Sequence, residues 1–589
     1  MDKADQLILE QLNKEVPHER TCRVCGGEWK IEQDDLIFLK KFIVPVPKIC
    51  PSCSMRQKLA WRNERVFYRR KCSATSKEIV SIYSPDKDYQ VFDKDFYANE
   101  NNWNPLDYVM NYDSAESFFV QFAQLMKLVP YASLITVTNK ADNCEYVNHG
   151  GWSKNCYMIS MAAYNENCLF GKNIMHSRDC VENYNINKCE SCYENINGLN
   201  NNNCQFLYNS QDCFDCHFSA ELKNCQNCLL CFNLLDKKYC VRNKQVTHEE
   251  FEQERQRLQF TELKAEFFQM RARQVVKFAN IVNSENCSGD YINNSKDSLY
   301  CFGVEGYESC KYCFDGAGGL FDCYNIYSSG NKASLEYNSL AAPGSYNVIC
   351  SSAVGNNSQR IGYSLHCYGC SDIFGCIGLK NKQYCVLNKQ YSKQEYERIV
   401  EEIKLDMLSR DEYGEFFPAN ISWFGYNETI AQEYFPLNKE EAQKLGFKWS
   451  GYEAEGKFDG PFYEPLEIKE YFNEQKAKEL LAGILQCEVT GKPYKIMGPE
   501  LAFYLKHNIP IPKRSPNQRH KDRMALKNPY KLWHRQCMCE GQLTINRNQL
   551  TGENGCQHQG RCINEFETTY APERTEKVYC EECYRKSVL

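Results

Sequence analysis

The residues best suited to chemistry are cysteines set as two-thiol knuckles at both ends of the chain. Cys22-Arg-Val-Cys25-Gly26-Gly27 is followed, after 24 residues, by Cys50-Pro51-Ser52-Cys53. A tight turn presents two thiolates, and two such turns complete the tetrahedron that zinc prefers, so this spacing predicts a zinc ribbon. The chain has 35 cysteines, an odd number, and its opening MDKADQLILEQLNKEVPHER has no apolar core of a secretion signal. Reduced thiols, zinc and a cytoplasmic location are therefore expected, rather than a disulfide framework.

The C-terminal end repeats this module. At a shift of 465, Cys22 falls on Cys487, Ile31 on Ile496, Leu36 on Leu501, Phe38 on Phe503 and Cys72 on Cys537. Thr490, Ser515 and Gln518 stand where Cys25, Cys50 and Cys53 stood, so this copy of the first ribbon should hold no metal. At a shift of 487, Val91-Phe-Asp93-Lys-Asp-Phe96-Tyr97 matches Val578-Tyr-Cys580-Glu-Glu-Cys583-Tyr584, and Thr75 matches Cys562. Each end thus reads as two ribbons, with the first intact at the N-terminus and the second at the C-terminus. The expected ligands are Cys22, Cys25, Cys50 and Cys53, then Cys537, Cys562, Cys580 and Cys583, with Cys539 a close substitute for Cys537. Cys556 and His558, in the 22-residue insertion, are further candidates. Two zinc ions per chain are expected.

Between the ends, cysteines recur at 144, 156, 168, 180, 192, 204, 216, 228 and 240, a step of 12 residues. Cys189, Cys213 and Cys225 each stand three residues before a ladder cysteine, and Asn or Asp usually precedes the cysteine. A period this strict signals a solenoid. A tube of one 12-residue coil would be too thin to hold Met158, Ile159, Phe170, Phe206 and Phe218. The expectation is therefore that one period is a half coil and two periods a full coil, with thiols stacked in two opposed rows about 4.8 Å apart. Asn and Asp suit the turns because they tolerate left-handed backbone. The thiols read as small core hydrophobes rather than as ligands.

A second array ends as the first does. Cys231-x8-Cys240-Val-Arg-Asn243-Lys244-Gln245 recurs as Cys376-x8-Cys385-Val-Leu-Asn388-Lys389-Gln390, and Thr247-x2-Glu250 and Ser392-x2-Glu395 are capping boxes for helices that close each array. Around Gly330–Gly344 the repeat grid is lost, and a bulge or loop is expected there. The fold class is mainly β with helices: two parallel β-solenoids flanked by duplicated zinc-ribbon modules. The expected segments are 1–100 (ribbons), 101–245 (entry helix and first solenoid), 246–280 (cap), 281–391 (second solenoid), 392–410 (cap), 411–486 (aromatic and acidic linker) and 487–589 (ribbons).

Net charge is −6, so no global field calls for nucleic acid, and no apolar run approaches the length of a membrane span. Locally the charge is concentrated. Arg56, Lys58, Arg62, Arg65, Arg69 and Arg70 surround Trp61, and Arg519, Lys521, Arg523, Lys527 and Arg535 recur in the copy. Basic residues interleaved with aromatics suit phosphates and stacked bases, so RNA or a ribonucleoprotein is the expected partner, with DNA as a variant. The alternatives are a protein partner on the solenoid face and an enzyme on a β-helix. Against the enzyme, the ladder offers cysteine and asparagine where paired carboxylates would be needed. No GxSxG, P-loop or HExxH is present, and no catalytic residue is assigned.

The stretches Cys50-Pro-Ser-Cys53, Arg62-Asn-Glu-Arg65, Tyr83-Ser-Pro-Asp86, Gly414-Glu-Phe-Phe-Pro418, Phe424-Gly-Tyr-Asn-Glu428 and Phe566-Glu-Thr-Thr-Tyr570, with the ladders ending in Asn-Lys-Gln, carry a resemblance. The chain resembles, over essentially its whole length, a family of cysteine-rich zinc-ribbon proteins from genomes of ultra-small uncultured bacteria. The resemblance implies zinc and the ribbon fold, and brings no activity with it.

Overall fold

The computed structural model describes residues 2–136, 140–452, 458–541, 558 and 560–588. They form two compact units, Met1–Ser133 with Ala279–Tyr452 and Tyr530–Leu532, and Leu134–Phe278 with Glu453–Pro529 and Trp533–Leu589. The consecutive segments therefore regroup: the N-terminal module shares a unit with the second solenoid, and the C-terminal module with the first.

In the first solenoid the strands are parallel, and Ser160 pairs with Lys172, then Tyr184, Ile196, Tyr208, Ala220 and Phe232 in succession. Each partner lies one sequence period further on, so a single period makes a whole coil, and the half-coil expectation is wrong. The ladder cysteines form one row instead of two, with Cys216, Cys228 and Cys240 in direct register. The cause lies in the backbone. From His149 to Arg242 every third residue is left-handed, with φ of 48–60°. Each such residue turns a corner, and four short sides close the coil. Met158, Phe170, Phe206 and Phe218 occupy corners. Phe206 and Phe218 stack against each other at 5.0 Å and meet Phe260 outside the tube edge-on, at 5.8 and 5.5 Å. Only Ile159 of the five lies inside, beside Cys156 and Ala162.

Left-handed backbone costs L-residues energy, least for Asn and Asp, which explains why those residues crowd the corners. Their side chains also pair from coil to coil. Asn143 donates to Asn155, Asn155 to Asn167 and Asn167 to Asp179, at 3.0, 3.2 and 2.8 Å. The residue after each corner faces inward, where room is short. Gly171 leaves space for Ile174, since a Cβ at 171 would sit 1.9 Å from Ile174 Cδ1. Interior polar groups bond the backbone: Asn183 donates to the Val181 and Cys192 carbonyls at 3.0 and 2.9 Å and accepts from the Asn195 N–H at 2.8 Å. Cysteine fits the same constraints, being small and a weak donor. The Cys180 and Cys204 thiols each donate at 3.2 Å to the carbonyl two positions back.

The second solenoid obeys the same rule with slips. Lys296 pairs with Glu308 and Ser371 with Gln383, one regular period on. The pairs Tyr307–Leu320, Leu320–Ala333 and Tyr346–Gln359 take one residue more, and Ile281–Ile292 takes one fewer. Around the longer steps, successive left-handed residues stand together at Gly318–Gly319, Asn331–Lys332 and Asn356–Asn357. The region of Gly330–Gly344 is therefore a continued coil with single-residue expansions at its corners, as a bulge requires and a loop does not.

Both arrays end by folding back. Cys240 and Val241 pair antiparallel with Gln245 and Lys244, as Cys385 and Val386 do with Gln390 and Lys389. Asn243 bonds both the N–H and the carbonyl of Phe232 at 2.8 Å, and Asn388 does the same to Ile377 at 2.8 and 3.0 Å. The Asn-Lys-Gln signature is thus a cap on an open sheet edge. The two capping boxes then start helices His248–Arg257 and Lys393–Ser409. Within the linker a 3-10 turn, Ile468–Phe472, is followed by helix Glu474–Ala482, which Asn473 caps.

Substitution at a corner tests the rule that sets the coil. Asn203 has φ of 51° and donates to Asp215 at 2.7 Å. Asn203→Val should cost ~1–3 kcal/mol through strain alone, and Asn203→Gly should cost less because only the hydrogen bond is lost. Equal urea midpoints for wild type and Asn203→Val would contradict the geometry.

Candidate metal centres

Each end carries two antiparallel hairpins with a knuckle at the mouth of each. At the N-terminus these are His18–Thr21 with Glu28–Ile31, and Tyr68–Lys71 with Glu78–Ser81. At the C-terminus they are Leu485–Gln486 with Pro493–Tyr494, and Trp533–Gln536 with Glu565–Thr568. The first knuckle turns at Gly26, whose φ of 70° suits glycine. The second begins helix Pro51–Leu59, with Cys50 at its N-cap. The thiols of Cys22, Cys25, Cys50 and Cys53 lie within 4.8 Å of one another. Cys22 and Cys53 are buried, Cys50 is half-buried and Cys25 is exposed. The Cys50 N–H donates to Cys22 Sγ at 3.3 Å and the Arg56 guanidinium to Cys53 Sγ at 3.3 Å, contacts that favour thiolates. A hydrogen bond from Cys53 pulls the Cys50 thiol down to about 5.

The C-terminal set is Cys537, Cys562, Cys580 and Cys583, all buried and mutually within 4.8 Å. The Cys580 N–H donates to Cys537 Sγ at 3.3 Å, the counterpart of the Cys50–Cys22 bond, and Asn564 donates to Cys580 Sγ at 3.4 Å. Cys537 rather than Cys539 completes this set. Cys539 groups instead with His558 and Cys583, their ligand atoms again within 4.8 Å. Cys556 lies outside the described residues.

Where ligands are missing, a helix cap has taken over. Ser515, in the place of Cys50, accepts the Gln518 N–H at 3.4 Å at the start of helix Pro516–Ala525. Asp93, in the place of Cys580, accepts from Asp95 and Phe96 at 3.0 and 3.4 Å at the start of Lys94–Ala98. The knuckle helix needs its N-terminal donors satisfied whether or not a metal is there. Cys72 keeps the ribbon's sulfur contact, accepting the Asp93 N–H at 3.2 Å.

The basic-aromatic segments do not form the expected nucleic-acid surface. Lys58, Trp61, Arg62, Arg65, Arg519 and Arg523 are buried. Lys58, which burial pushes far below its usual pKa, donates to the Asn325 carbonyl and to Asn338 Oδ1 at 2.9 Å. Arg62 pairs with Glu64 at 2.6 Å. Arg519 meets Glu182 and, at 3.0 Å, Glu500, while Arg523 reaches Glu182 and Glu194, each at 2.8 Å. The half-buried residues are also engaged: Arg70 with the Ser84 and Tyr89 carbonyls, Lys527 with the Tyr184 hydroxyl and Arg535 with the Tyr570 and Ala571 carbonyls. Arg56 holds Cys53, leaving Arg69 and Lys521 as the exposed members. These segments are internal docking surfaces, each seating its module on a solenoid in the same unit. Phe38 and Phe42 lie against Tyr324 and Tyr337 at 5.5 and 5.4 Å, and Phe503 and Tyr504 against Tyr193 at 6.2 and 6.0 Å.

Sequence reasoning missed the solenoid's share of this contact. Glu182 and Glu194 occupy equivalent corners of successive coils, and two carboxylates interrupting the apolar corner row of Met158, Phe170, Phe206 and Phe218 were the available signal. The same grid carries an exposed aromatic row that also went unread, Trp152, Tyr164 and His176, with rings stacked at 5.4 and 4.8 Å. No protein-family model matches the chain, and no curated protein matches it.

Removing one partner from a buried ion pair costs ~3–5 kcal/mol. Arg523→Ala should therefore release the C-terminal module from its solenoid, seen as faster proteolysis between residues 487 and 529 that added salt does not restore. An unchanged cleavage pattern would count against the docking role.

Proposed function

We propose that this protein is a non-catalytic, zinc-stabilised scaffold that presents one corner of its first solenoid to a partner protein. The observation that carries the partner is the distribution of exposed apolar side chains. Among the described residues of the first solenoid, the exposed large hydrophobics are Trp152, Tyr164, Leu199, Phe214 and Leu235. Trp152 and Tyr164 are corner residues of one row, and Leu199 and Leu235 directly precede Asn200 and Asp236 of that same row. Phe214 stands two positions after Asp212, again of that row. An apolar stripe rimmed by polar groups is the mark of an interaction face.

Zinc is the metal this reading assigns to both four-cysteine sets. Four thiolates in a closed tetrahedron suit a structural zinc ion and leave no position for substrate. So many reduced cysteines suit a reducing cytoplasm. No helix among the described residues is long and apolar enough to cross a membrane. The recurrence of the same backbone-to-sulfur bonds at both ends supports descent of the two modules from one ancestor.

A second reading rests on the stacked row. Trp152, Tyr164 and His176 are flanked by exposed Lys140, Lys154, Arg178 and Lys188, a combination that suits single-stranded RNA or DNA. It ranks second because Glu166 and Glu190 lie among the cations and Arg178 already pairs with Glu190 at 2.5 Å.

Two experiments test these assignments. Metal contributes ~10–16 kcal/mol to small zinc modules, so Cys50→Ser should lose one zinc by elemental analysis and unfold residues 18–60 by hydrogen exchange; full zinc retention would refute the site. For the partner, a photocrosslinking residue at Leu199 or Leu235 should give protein adducts in source cells, and one at Lys382 on the second solenoid should not. RNA adducts at 199 would move the assignment to the second reading, and no adducts at either position would end both.

A further inference from the structure

Cys583 is shared by two ligand groups. It completes the four-thiolate set with Cys537, Cys562 and Cys580, and it also lies within 4.8 Å of Cys539 and His558. One tetrahedral ion cannot use all six donors. An ion in the four-thiolate set leaves Cys539, fully buried, and His558 facing the same Cys583 sulfur. His558 Nε2 is 3.4 Å from Cys583 Sγ, and its Nδ1 is 2.9 Å from the Gly560 carbonyl. A proton on Nδ1, donated to that carbonyl, leaves the Nε2 lone pair aimed at the thiols, the arrangement found behind metal-bound histidines.

The backbone is shaped to bring this histidine in. Gly541 has φ of 81°, and a Cβ there would stand 2.3 Å from the His558 carbonyl oxygen and 3.3 Å from that of Gly560. Only glycine at 541 lets the carbonyls of His558 and Gly560 come this close to the backbone two residues after Cys539. The Cys562 N–H donates to the Cys539 carbonyl at 2.8 Å, which ties the two ligand groups together.

We propose that the C-terminal module holds two zinc ions bridged by the Cys583 thiolate. The first has four cysteine ligands. The second is held by Cys539, His558 and Cys583, and water fills its fourth position. The set of two sulfurs and one imidazole suits zinc. Charge favours the second ion: one zinc with four thiolates carries two negative charges, and adding a dication with the Cys539 thiolate leaves one. With its open position, the second ion exchanges faster than the first.

This inference rests on the four-thiolate reading, and the test separates the two. The full-length protein is saturated with zinc, freed of excess and analysed by native mass spectrometry and elemental analysis. Three zinc ions per chain are expected, falling to two in both His558→Ala and Gly541→Ala, with unchanged circular dichroism. A graded chelator should remove the third ion first. Two ions in wild type and in both variants would overturn the bridged pair while leaving the four-thiolate sites intact. One ion or none in wild type would overturn both readings.

Discussion

The left-handed corner is the constraint on which the rest of the molecule depends. Turning the chain every third residue makes a coil so narrow that each side contributes one interior side chain. That geometry selects cysteine, serine, asparagine, glycine and the smaller aliphatics for the inside. In the first solenoid it also sends the phenylalanines outward, where they become docking surface, while in the second Tyr307 lies inside among the cysteines. The aromatic rows at Phe206 and Phe218 and the carboxylates at Glu182 and Glu194 are products of the same rule. A wider helix built from the same repeat would have swallowed the phenylalanines and left the helices and end module nothing to pack against.

Burial of charge is the second theme. Arg519 and Arg523 face Glu182, Glu194 and Glu500 in a site closed to solvent, and Asp35 receives Lys311 at 2.9 Å in the other unit. Asp35 and Glu500 correspond under the shift that aligns the two modules, but Asp35 meets Lys311 of its solenoid whereas Glu500 meets Arg519 of its own module. Buried pairs of this kind add little net stability over apolar packing, but mispairing them is expensive. They therefore fix how each module sits on its solenoid more than how tightly.

Much of the fold and of the candidate metal sites was legible in the residues. Thiol spacing identified the N-terminal four-cysteine set, because a tetrahedral site demands a particular reach between knuckles, and the correspondence of the two ends identified the C-terminal set. The capping boxes at Thr247 and Ser392 start helices as their hydrogen-bonding pattern requires. The coil length was misjudged because period alone does not say which side of the backbone a phenylalanine faces. Left-handed corners reverse the alternation that an ordinary strand imposes, and only the density of Asn and Asp hinted at them. The basic segments were misread for a related reason: a string of arginines looks the same whether its partners are phosphates or carboxylates on a distant stretch of the same chain. The role of Cys539 depended on Gly541, whose positive φ has no signature in sequence.

The fold-back caps bear on how such a chain can change length. Because Asn243 and Asn388 each satisfy the last coil locally, neither terminator depends on how many coils precede it. Whole coils can be gained or lost by unequal recombination within the repeat, while the helix after the cap and the module beyond it keep their own attachments. A partial coil has no such freedom, since it would rotate every downstream side chain off its row. Size variation among chains of this architecture should therefore be quantised in steps of one coil, with single-residue slips confined to corners like Gly318–Gly319 where a second left-handed residue absorbs them.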